Sequence, residues 1–333
     1  MSDKQVQHTV DEHYVPEFIL KNFCLHKCKA PYKNDRMVIY DPQHDRISQK
    51  SPGQVFYRKH LYETEWHYKK DASSYISQND IENHFSTLEK AFAETVEKVL
   101  LVCSESSNQN CLVCTSSEIG TLRRMAANLY LRHPKILEWK YREHLESLDT
   151  SDENHIAVNK IFKYMEFEDA EAIDRVSIKY AWLDDRIAGS MPHTVVSDLQ
   201  KMRPTFLVAS DRKFISGGLP VSFTFRGEGI SEMRVPLSPT CMLVFGDSDL
   251  VKKHRNRKWE IGNDAVDIIN SLTIAFQRQV SEKWFAAQKE DILLAKDAYE
   301  LLRRVHKSEL DAFELKADQF LAPQSDALSK NID

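Results

Sequence analysis

The spacing of apolar residues along the chain predicts three helical regions. Between residues 79 and 102, apolar side chains recur every three or four positions, as they do on the buried face of an amphipathic helix. The same period returns between residues 117 and 145, where Pro134 is expected to kink the helix or to start a new one. It returns again between residues 263 and 322, so helices are predicted to dominate the fold.

Shorter runs rich in β-branched and aromatic residues predict an antiparallel sheet between residues 204 and 246. Gly217-Gly218 lies between two of these runs, and we interpret it as a turn of a meander. Another strand is predicted at Met37–Asp41, and we expect it to join the same sheet. The predicted fold class is therefore α+β, mostly helical with a small antiparallel sheet.

We expect residues 1–322 to form a single α+β domain that carries an acidic insertion. Residues 143–185 hold twelve acidic residues against four basic ones, and the apolar spacing around them is helical. We interpret the stretch from about 146 to 203 as an acidic helical insertion, and residues 323–333 as a flexible tail.

The composition is that of a folded protein, with 42% apolar and 29% charged residues in a chain of 333. The net charge of −5 gives no global attraction to nucleic acid, but residues 123–142 hold six Lys or Arg residues against one acid. Such a stretch can form a local anion-binding face or only a solvated helix face. The first ten residues are polar and no apolar run approaches 18 residues, so we expect no signal peptide, no membrane span and a cytoplasmic location.

Two groups of cysteines have spacings that bear on metal binding. Cys24, His26 and Cys28 form one group, and Cys111 and Cys114 form the other. Two such groups could build one tetrahedral zinc site, but the first spacing is unusual for zinc. The alternative is that all of these cysteines are ordinary reduced thiols.

The stretch Asp11–Cys24 combines polar residues with a helical apolar stripe. Pro16 suits the first turn of a helix, so His13 is expected just before a helix N-terminus. Unpaired backbone N–H groups and a partial positive charge at that end attract anions and disfavour a protonated imidazole. This position makes His13 a candidate base or metal ligand.

The block His13–Pro16, followed by Leu20 and Asn22-Phe23, resembles the start of the DUF4238 family. This family comprises bacterial and phage proteins of unknown function, so the resemblance implies no established activity.

Further blocks that resemble the family follow in the expected order. They are the paired glutamates Glu82 and Glu89, the segment Tyr130–Pro134 around Arg132, Ser210-Asp211 at the end of a strand, the block Pro236–Pro239, and Asn270 with Arg278 on a late helix. The chain departs from the family at His133, where a small hydroxyl residue is more usual, and at Arg212-Lys213, where asparagine and proline are usual. We interpret the two glutamates as charges on a first helical turn and on a solvent face, with a catalytic role as the alternative.

Four polar residues in these separate blocks form the predicted site: His13, Arg132, Asp211 and Arg278. Buried polar groups need partners, so we predict that the four share one pocket. His13 and Asp211 would be the catalytic residues and the ligands of a divalent metal, while Arg132 and Arg278 would bind an anion. Arg132 could instead cap carbonyl groups that a helix kink sets free. The predicted partner is a nucleic acid or another phosphate-bearing ligand, and no membrane partner is expected.

Two function classes remain open. The first is a metal-assisted nuclease or related phosphoester hydrolase of the phage-defence or toxin type. The second is a non-catalytic binding or regulatory module, in which the polar motif residues hold loops. The sequence lacks the motifs of P-loop NTPases, dinucleotide-binding proteins, serine hydrolases and HExxH metalloproteases, which argues against those classes.

Overall fold

The computed structural model describes residues 11–25, 35–59, 61–62, 80–105, 111–139, 194–227, 229–280 and 282–321. Within these residues the fold is α+β, as predicted. Most of the acidic segment predicted as an insertion lies outside the described residues, and so does the predicted tail.

The helices are α1 (Glu17–Lys21), α2 (Asp80–Ser104), α3 (Ser116–Leu131), α4 (Thr194–Lys201), α5 (Asp249–Lys253), α6 (Asn263–Gln279), α7 (Lys289–Val305) and α8 (Lys307–Leu321), and residues 134–139 are also helical. The first two predicted helical regions correspond to α2 and to α3 with the segment after Pro134. The third region is three helices and a strand. None of the helices in the described part of the chain combines the length and apolarity needed to span a bilayer.

The strands are β1 (Asp11–His13), β2 (Met37–Asp41), β3 (Arg46–Lys50), β4 (Tyr57–Lys59), β5 (Arg203–Ala209), β6 (Ser216–Gly217), β7 (Ser222–Arg226), β8 (Gly229–Ser238), β9 (Cys241–Gly246), β10 (Lys258–Ile261) and β11 (Trp284–Ala286). They form a two-stranded sheet, a four-stranded sheet and a five-stranded sheet. The β content is therefore larger than the small sheet that was predicted.

The five-stranded sheet has the strand order β10-β5-β9-β8-β7. Its β7, β8 and β9 form the predicted antiparallel meander, while β10 runs parallel to β5 at the edge. Along β5 the side chains alternate between two cores: Leu207 packs with Val266 and Ile269 of α6, and Phe206 packs in the core that contains α2 and α3. The sheet is thus covered by helices on both faces.

The prediction that β2 joins this sheet is wrong. β2 lies in the four-stranded sheet, whose order is β3-β2-β11-β6. It pairs with β3 in a hairpin and with β11, which lies near the other end of the chain. The partner β11 was missed because its three residues are too few to show a strand period between two helical stripes.

The two faces of the four-stranded sheet pack against different parts of the chain. Val38 and Trp284 face α6 and α7. On the opposite face, Ile39 and Phe285 pack against residues 14–24, which we call the opening segment. Phe23 of that segment lies edge-on to Phe285, with ring centroids 5.0 Å apart. The opening segment is therefore part of the core, because it packs against one face of this sheet.

Gly217 and Gly218 were predicted to form a turn, but Gly217 lies in β6 and both glycines are sites of close packing. The Gln277 side chain bridges the backbone of Leu219: its Nε2 donates to the carbonyl at 2.5 Å, and its Oε1 accepts from the amide at 3.2 Å. A Cβ atom on Gly217 would overlap the Gln277 amide, and one on Gly218 would overlap the Glu282 carboxylate. These two positions have no room for a side chain.

Replacement of Gly217 by alanine tests this packing. We expect Gly217→Ala to lower the free energy of unfolding by about 2 kcal/mol, because the Gln277 amide must leave its two hydrogen bonds. Gly120→Ala is the matched control: Gly120 is exposed within α3, and its added Cβ would meet nothing within 4 Å. That variant should gain about 0.5–1 kcal/mol from helix propensity. Urea titration measures the free energy of unfolding of both variants. Equal changes in the two variants would contradict the packing argument.

Candidate functional site

Arg132 is the centre of a buried polar cluster at the end of α3. Its side chain is 1% exposed. Its Nε donates to the Tyr62 hydroxyl at 3.1 Å, its Nη1 to Glu89 Oε1 at 2.5 Å, and its Nη2 to the carbonyl oxygen of His13. The guanidinium therefore connects β1 and α2 to the end of α3, and its N–H groups donate to protein partners.

Carboxylates outnumber the single arginine in this cluster. Besides Glu89, Glu82 lies close to Arg132, and Glu12 Oε2 accepts from the backbone N–H of Tyr62 at 2.5 Å. Burial raises the pKa of Glu82 to about 7; the neighbouring Glu89 and Glu12 add to this effect and Arg132 opposes it. The interpretation of Glu82 and Glu89 as first-turn and solvent-face charges is therefore replaced by a role in the arginine cluster.

The His13 ring lies at the edge of the cluster. It is half-buried and tilted against the Tyr57 ring, with centroids 5.5 Å apart. Burial lowers the pKa of His13; Glu17 opposes this effect and Arg132 adds to it. Its Nε2 is buried and has no hydrogen-bond partner among the described residues. The imidazole is therefore neutral at pH 7, and Arg132 contacts the backbone of this residue rather than its ring.

Tyr14, His133 and Glu282 form a second polar group beside the cluster. His133 Nε2 lies 3.2 Å from Glu282 Oε1, and the Tyr14 hydroxyl donates to the same carboxylate at 3.4–3.5 Å. The other ring nitrogen of His133, Nδ1, accepts from the backbone N–H of Lys135 at 3.3 Å. Burial lowers the pKa of His133, so the ring is neutral and its proton is assigned to Nε2, which donates to Glu282.

Tyr14 stays protonated because burial raises the pKa of its hydroxyl, and the Glu282 carboxylate raises it further. Glu282 therefore receives two hydrogen bonds from neutral donors. These bonds fix the direction of a carboxylate whose side chain is 14% exposed.

Tyr14 and Glu282 line a cleft of about 550 Å³ between the opening segment and the four-stranded sheet. The sheet side of the cleft carries Arg46, Ser48 and Lys50, alternate residues of β3 that share one face. Within the described residues, neither Arg46 nor Lys50 forms an ion pair. Lys283 also lines the cleft, and its Nζ lies 3.1 Å from Asp41 Oδ2.

The structure brings together two of the four predicted site residues, His13 and Arg132. Asp211 is exposed in the turn after β5, beside the start of α6, where the backbone N–H of Arg212 donates to Asn263 Oδ1 at 3.2 Å. Arg278 is exposed near the other end of α6, with its guanidinium 5.6 Å from the ring centroid of Tyr299. At 1.5 Å per residue, the Cα atoms of Asn263 and Arg278 are about 22 Å apart.

Among the described residues, no hydrogen bond or ion pair joins His13 to Asp211, and none joins Arg278 to the carboxylates around Arg132. Among the residues that the structure describes, no three His, Cys, Asp or Glu side chains are grouped so that they could hold a metal ion. The five described cysteines are free thiols. Cys24 and Cys114 belong to separate cores, and His26 and Cys28 lie outside the described residues.

Other motif residues hold the backbone in place. Asn270 Oδ1 accepts from the N–H of Ile215 at 3.1 Å, and its Nδ2 donates to the carbonyl of Lys213 at 2.9 Å. Asn22 Nδ2 donates to the carbonyl of Leu237 at 3.0 Å. Glu282 was missed because it lies between two helical stripes and belongs to no recognised block.

The fold and the site define an α+β protein with two polar features next to β1. One is the buried cluster of Arg132 and its carboxylates, and the other is the cleft lined by Tyr14 and Glu282. The chain belongs to the DUF4238 family, described as a protein of unknown function, whose model matches residues 12–291. The match includes Arg132, Glu282 and the cleft, and it ends at the start of α7. No curated protein and no solved structure matches the chain.

The raised pKa of Glu82 predicts a pH-dependent effect on stability. Below pH 4.5 the carboxyl is protonated in both states, and between about 4.5 and 7 the unfolded chain loses this proton while the folded protein keeps it. The free energy of unfolding therefore falls as pH rises through this range. We expect Glu82→Gln to raise it by about 1–2 kcal/mol at pH 8 and by less than about 0.5 kcal/mol at pH 4.5.

Urea titrations at the two pH values measure this difference. Glu97→Gln, at an exposed position of the same helix, is the control and should show no such pH dependence. A Glu82→Gln effect that is the same at both pH values would contradict the prediction.

Proposed function

We propose that the protein is a phosphoester hydrolase whose reaction takes place in the cleft beside Glu282. The observation that carries this proposal is that one cleft holds both an oriented carboxylate and basic side chains without an acidic partner among the described residues. Activation of water and binding of a phosphate group are the two tasks of such an enzyme, and these groups suit them.

Substrate binding would use the basic residues on the sheet side of the cleft. Arg46 and Lys50 lie on the same face of β3 and line the cleft. A phosphoester oxygen would be attracted there, since a guanidinium forms two parallel hydrogen bonds to phosphate and an ammonium acts as a point charge. Lys283 already pairs with Asp41, so it contributes less.

Glu282 would act as the general base. The hydrogen bonds from His133 and Tyr14 hold its carboxylate in place, so that it can accept a proton from a water molecule in the cleft. The water oxygen then forms a bond to phosphorus and the bond to the leaving oxygen breaks. The leaving oxygen takes a proton from solvent, and Glu282 returns its proton to solvent.

A specific observation also favours the alternative, a non-catalytic binding module. Several polar motif residues donate hydrogen bonds to backbone carbonyls and so hold loops in place; they are Arg132, Asn22 and Asn270. In that case the cleft would bind a phosphate-bearing ligand without converting it. The two functions share a ligand class and differ in turnover.

Substitution of Glu282 distinguishes a phosphoester hydrolase from a non-catalytic binding module. The wild-type protein should hydrolyse bis(p-nitrophenyl) phosphate or p-nitrophenyl phosphate, and Glu282→Gln should lower kcat by about 100-fold, because the amide cannot accept the proton. Arg46→Gln should instead raise KM, because it removes phosphate binding. Assays with EDTA and with Mg²⁺ or Mn²⁺ measure the dependence on metal.

Glu290→Gln is the matched control, since Glu290 is an exposed acid in the first turn of α7 outside the cleft. It should leave kcat unchanged. Thermal melting should show that Glu282→Gln remains folded, since the amide oxygen can still accept from His133. Hydrolysis that survives Glu282→Gln would refute the proposed base. Phosphate binding without turnover would establish the alternative.

A further inference from the structure

A strongly basic turn connects α5 to β10. Residues 252–258 read Lys-Lys-His-Arg-Asn-Arg-Lys, with five Lys or Arg residues in seven positions of a chain whose net charge is −5. The turn precedes the edge strand of the five-stranded sheet, and its residues do not line the cleft. Lys258 is buried and Lys252 lies 3.8 Å from Asp249, so the exposed charge that attracts anions here comes mainly from Lys253 and Arg255.

Asn256 holds the basic turn rigidly. It is buried and has a positive φ of 53°. Its Oδ1 accepts from the N–H of Cys114 at 3.0 Å, its Nδ2 donates to the Cys114 carbonyl at 2.6 Å, and its own N–H donates to the Pro204 carbonyl at 2.6 Å. The charged residues on either side of Asn256 are therefore held in position before any ligand binds, which reduces the entropic cost of binding.

Arginines from two other elements join the turn. Arg203 begins β5, and Arg123 of α3 donates from Nη2 to the carbonyl of Met202 at 2.9 Å. Arg203 follows Met202 in the chain, and Arg255 precedes Asn256, whose N–H donates to the Pro204 carbonyl, so these contacts bring the three arginines to the same end of β5. Burial lowers the pKa of Arg123, and the positive charges of Arg203 and Arg255 lower it further. Arg123 Nε is buried without a hydrogen-bond partner in the described part of the chain.

These three arginines form no ion pair with any acid among the described residues. Mutual repulsion is unfavourable in the free protein, and a bound polyanion would relieve it. The structure thus offers a convergent set of cations with unused hydrogen-bonding capacity.

An aromatic stack borders the same turn. The His254 ring lies on the indole of Trp259, with an interplanar angle of 5° and a centroid distance of 4.7 Å, and both residues are half-buried. A nucleobase can extend such a stack. Stacking on aromatic rings next to a basic surface is the general mode of single-strand recognition, because every base has a π-face.

We propose that Arg123, Arg203, Arg255 and the His254–Trp259 stack form a binding surface for single-stranded nucleic acid. The arginines bind its phosphates and the stack takes a base. The proposed surface would make nucleic acid the substrate class of the hydrolase. This statement about the substrate rests on the proposed function. Arg123 and His133 are ten residues apart along α3 and its C-terminal end, about 15 Å, which an oligonucleotide can span.

Fluorescence anisotropy with fluorescein-labelled dT20 in EDTA, at 50–200 mM KCl, tests binding separately from hydrolysis. The wild-type protein should bind saturably, with an affinity that falls as salt rises. The double variant Arg203→Gln/Arg255→Gln should bind about tenfold more weakly at 100 mM KCl, with a log–log salt slope shallower by about 1. The double variant Arg226→Gln/Arg304→Gln removes the same charge from exposed positions elsewhere and should match the wild type.

Inorganic polyphosphate, which has no bases, separates nucleic-acid recognition from general attraction of polyanions. Trp259→Leu should weaken dT20 binding about tenfold and leave polyphosphate binding unchanged. If that variant is unstable, His254→Ala serves as a second test of the stack. The proposal is overturned if dT20 does not bind, if both double variants lose affinity equally, or if the stack variants bind dT20 as tightly as the wild type.

The outcomes also separate this proposal from the proposed hydrolysis. Binding of dT20 without turnover of any phosphoester would refute the hydrolase and leave this surface established. Turnover of p-nitrophenyl phosphates without dT20 binding would refute this surface alone.

Discussion

The hydrogen bonds of Arg132 are the interaction on which the rest of the site depends. One guanidinium neutralises part of a group of three carboxylates and fixes the backbone of His13. Removal of a buried partner from such a group leaves an uncompensated charge, which costs more than the pair contributes. Arg132 therefore secures β1 against α2 and α3. It was predicted to bind an anion, and in the structure its donors are directed at Tyr62, Glu89 and the His13 carbonyl.

The arrangement of the cleft depends on the same hydrogen bonds of Arg132. His13 and Tyr14 are consecutive residues at the end of β1, and so are Arg132 and His133 after α3. In each pair one residue contributes to the arginine cluster and the other to the group around Glu282. Because the pairs are covalently linked, the position of the Glu282 carboxylate depends on the anchoring of Arg132. The buried cluster and the open cleft are two sides of one structural unit.

The parts of the fold that follow a local period could be predicted from the sequence, and the parts that depend on distant pairing could not. The stripes of α2 and α3 and the β7–β9 meander carry their own periodicity, so their existence was recoverable. The two-residue β6 and three-residue β11 carry none. For the site, the sequence identified the opening block and Arg132, which do meet. Asp211 lies exposed after β5 without a described contact to His13, and its position relative to the other blocks could not be derived from local spacing. The sequence missed Glu282, whose role arises only from contacts with Tyr14 and His133.

The pairing within the four-stranded sheet has a consequence for how the protein is made. Tyr40 of β2 pairs with Trp284 of β11 across most of the length of the chain. During synthesis β2 can pair only with β3 until β11 has left the ribosome, because Trp284 follows Tyr40 by 244 residues. Pairings between residues so far apart carry a large loop-closure cost and form slowly. The cleft combines residues of β3 with Glu282, which comes just before β11, so it cannot be assembled before this late part of the sequence has been made.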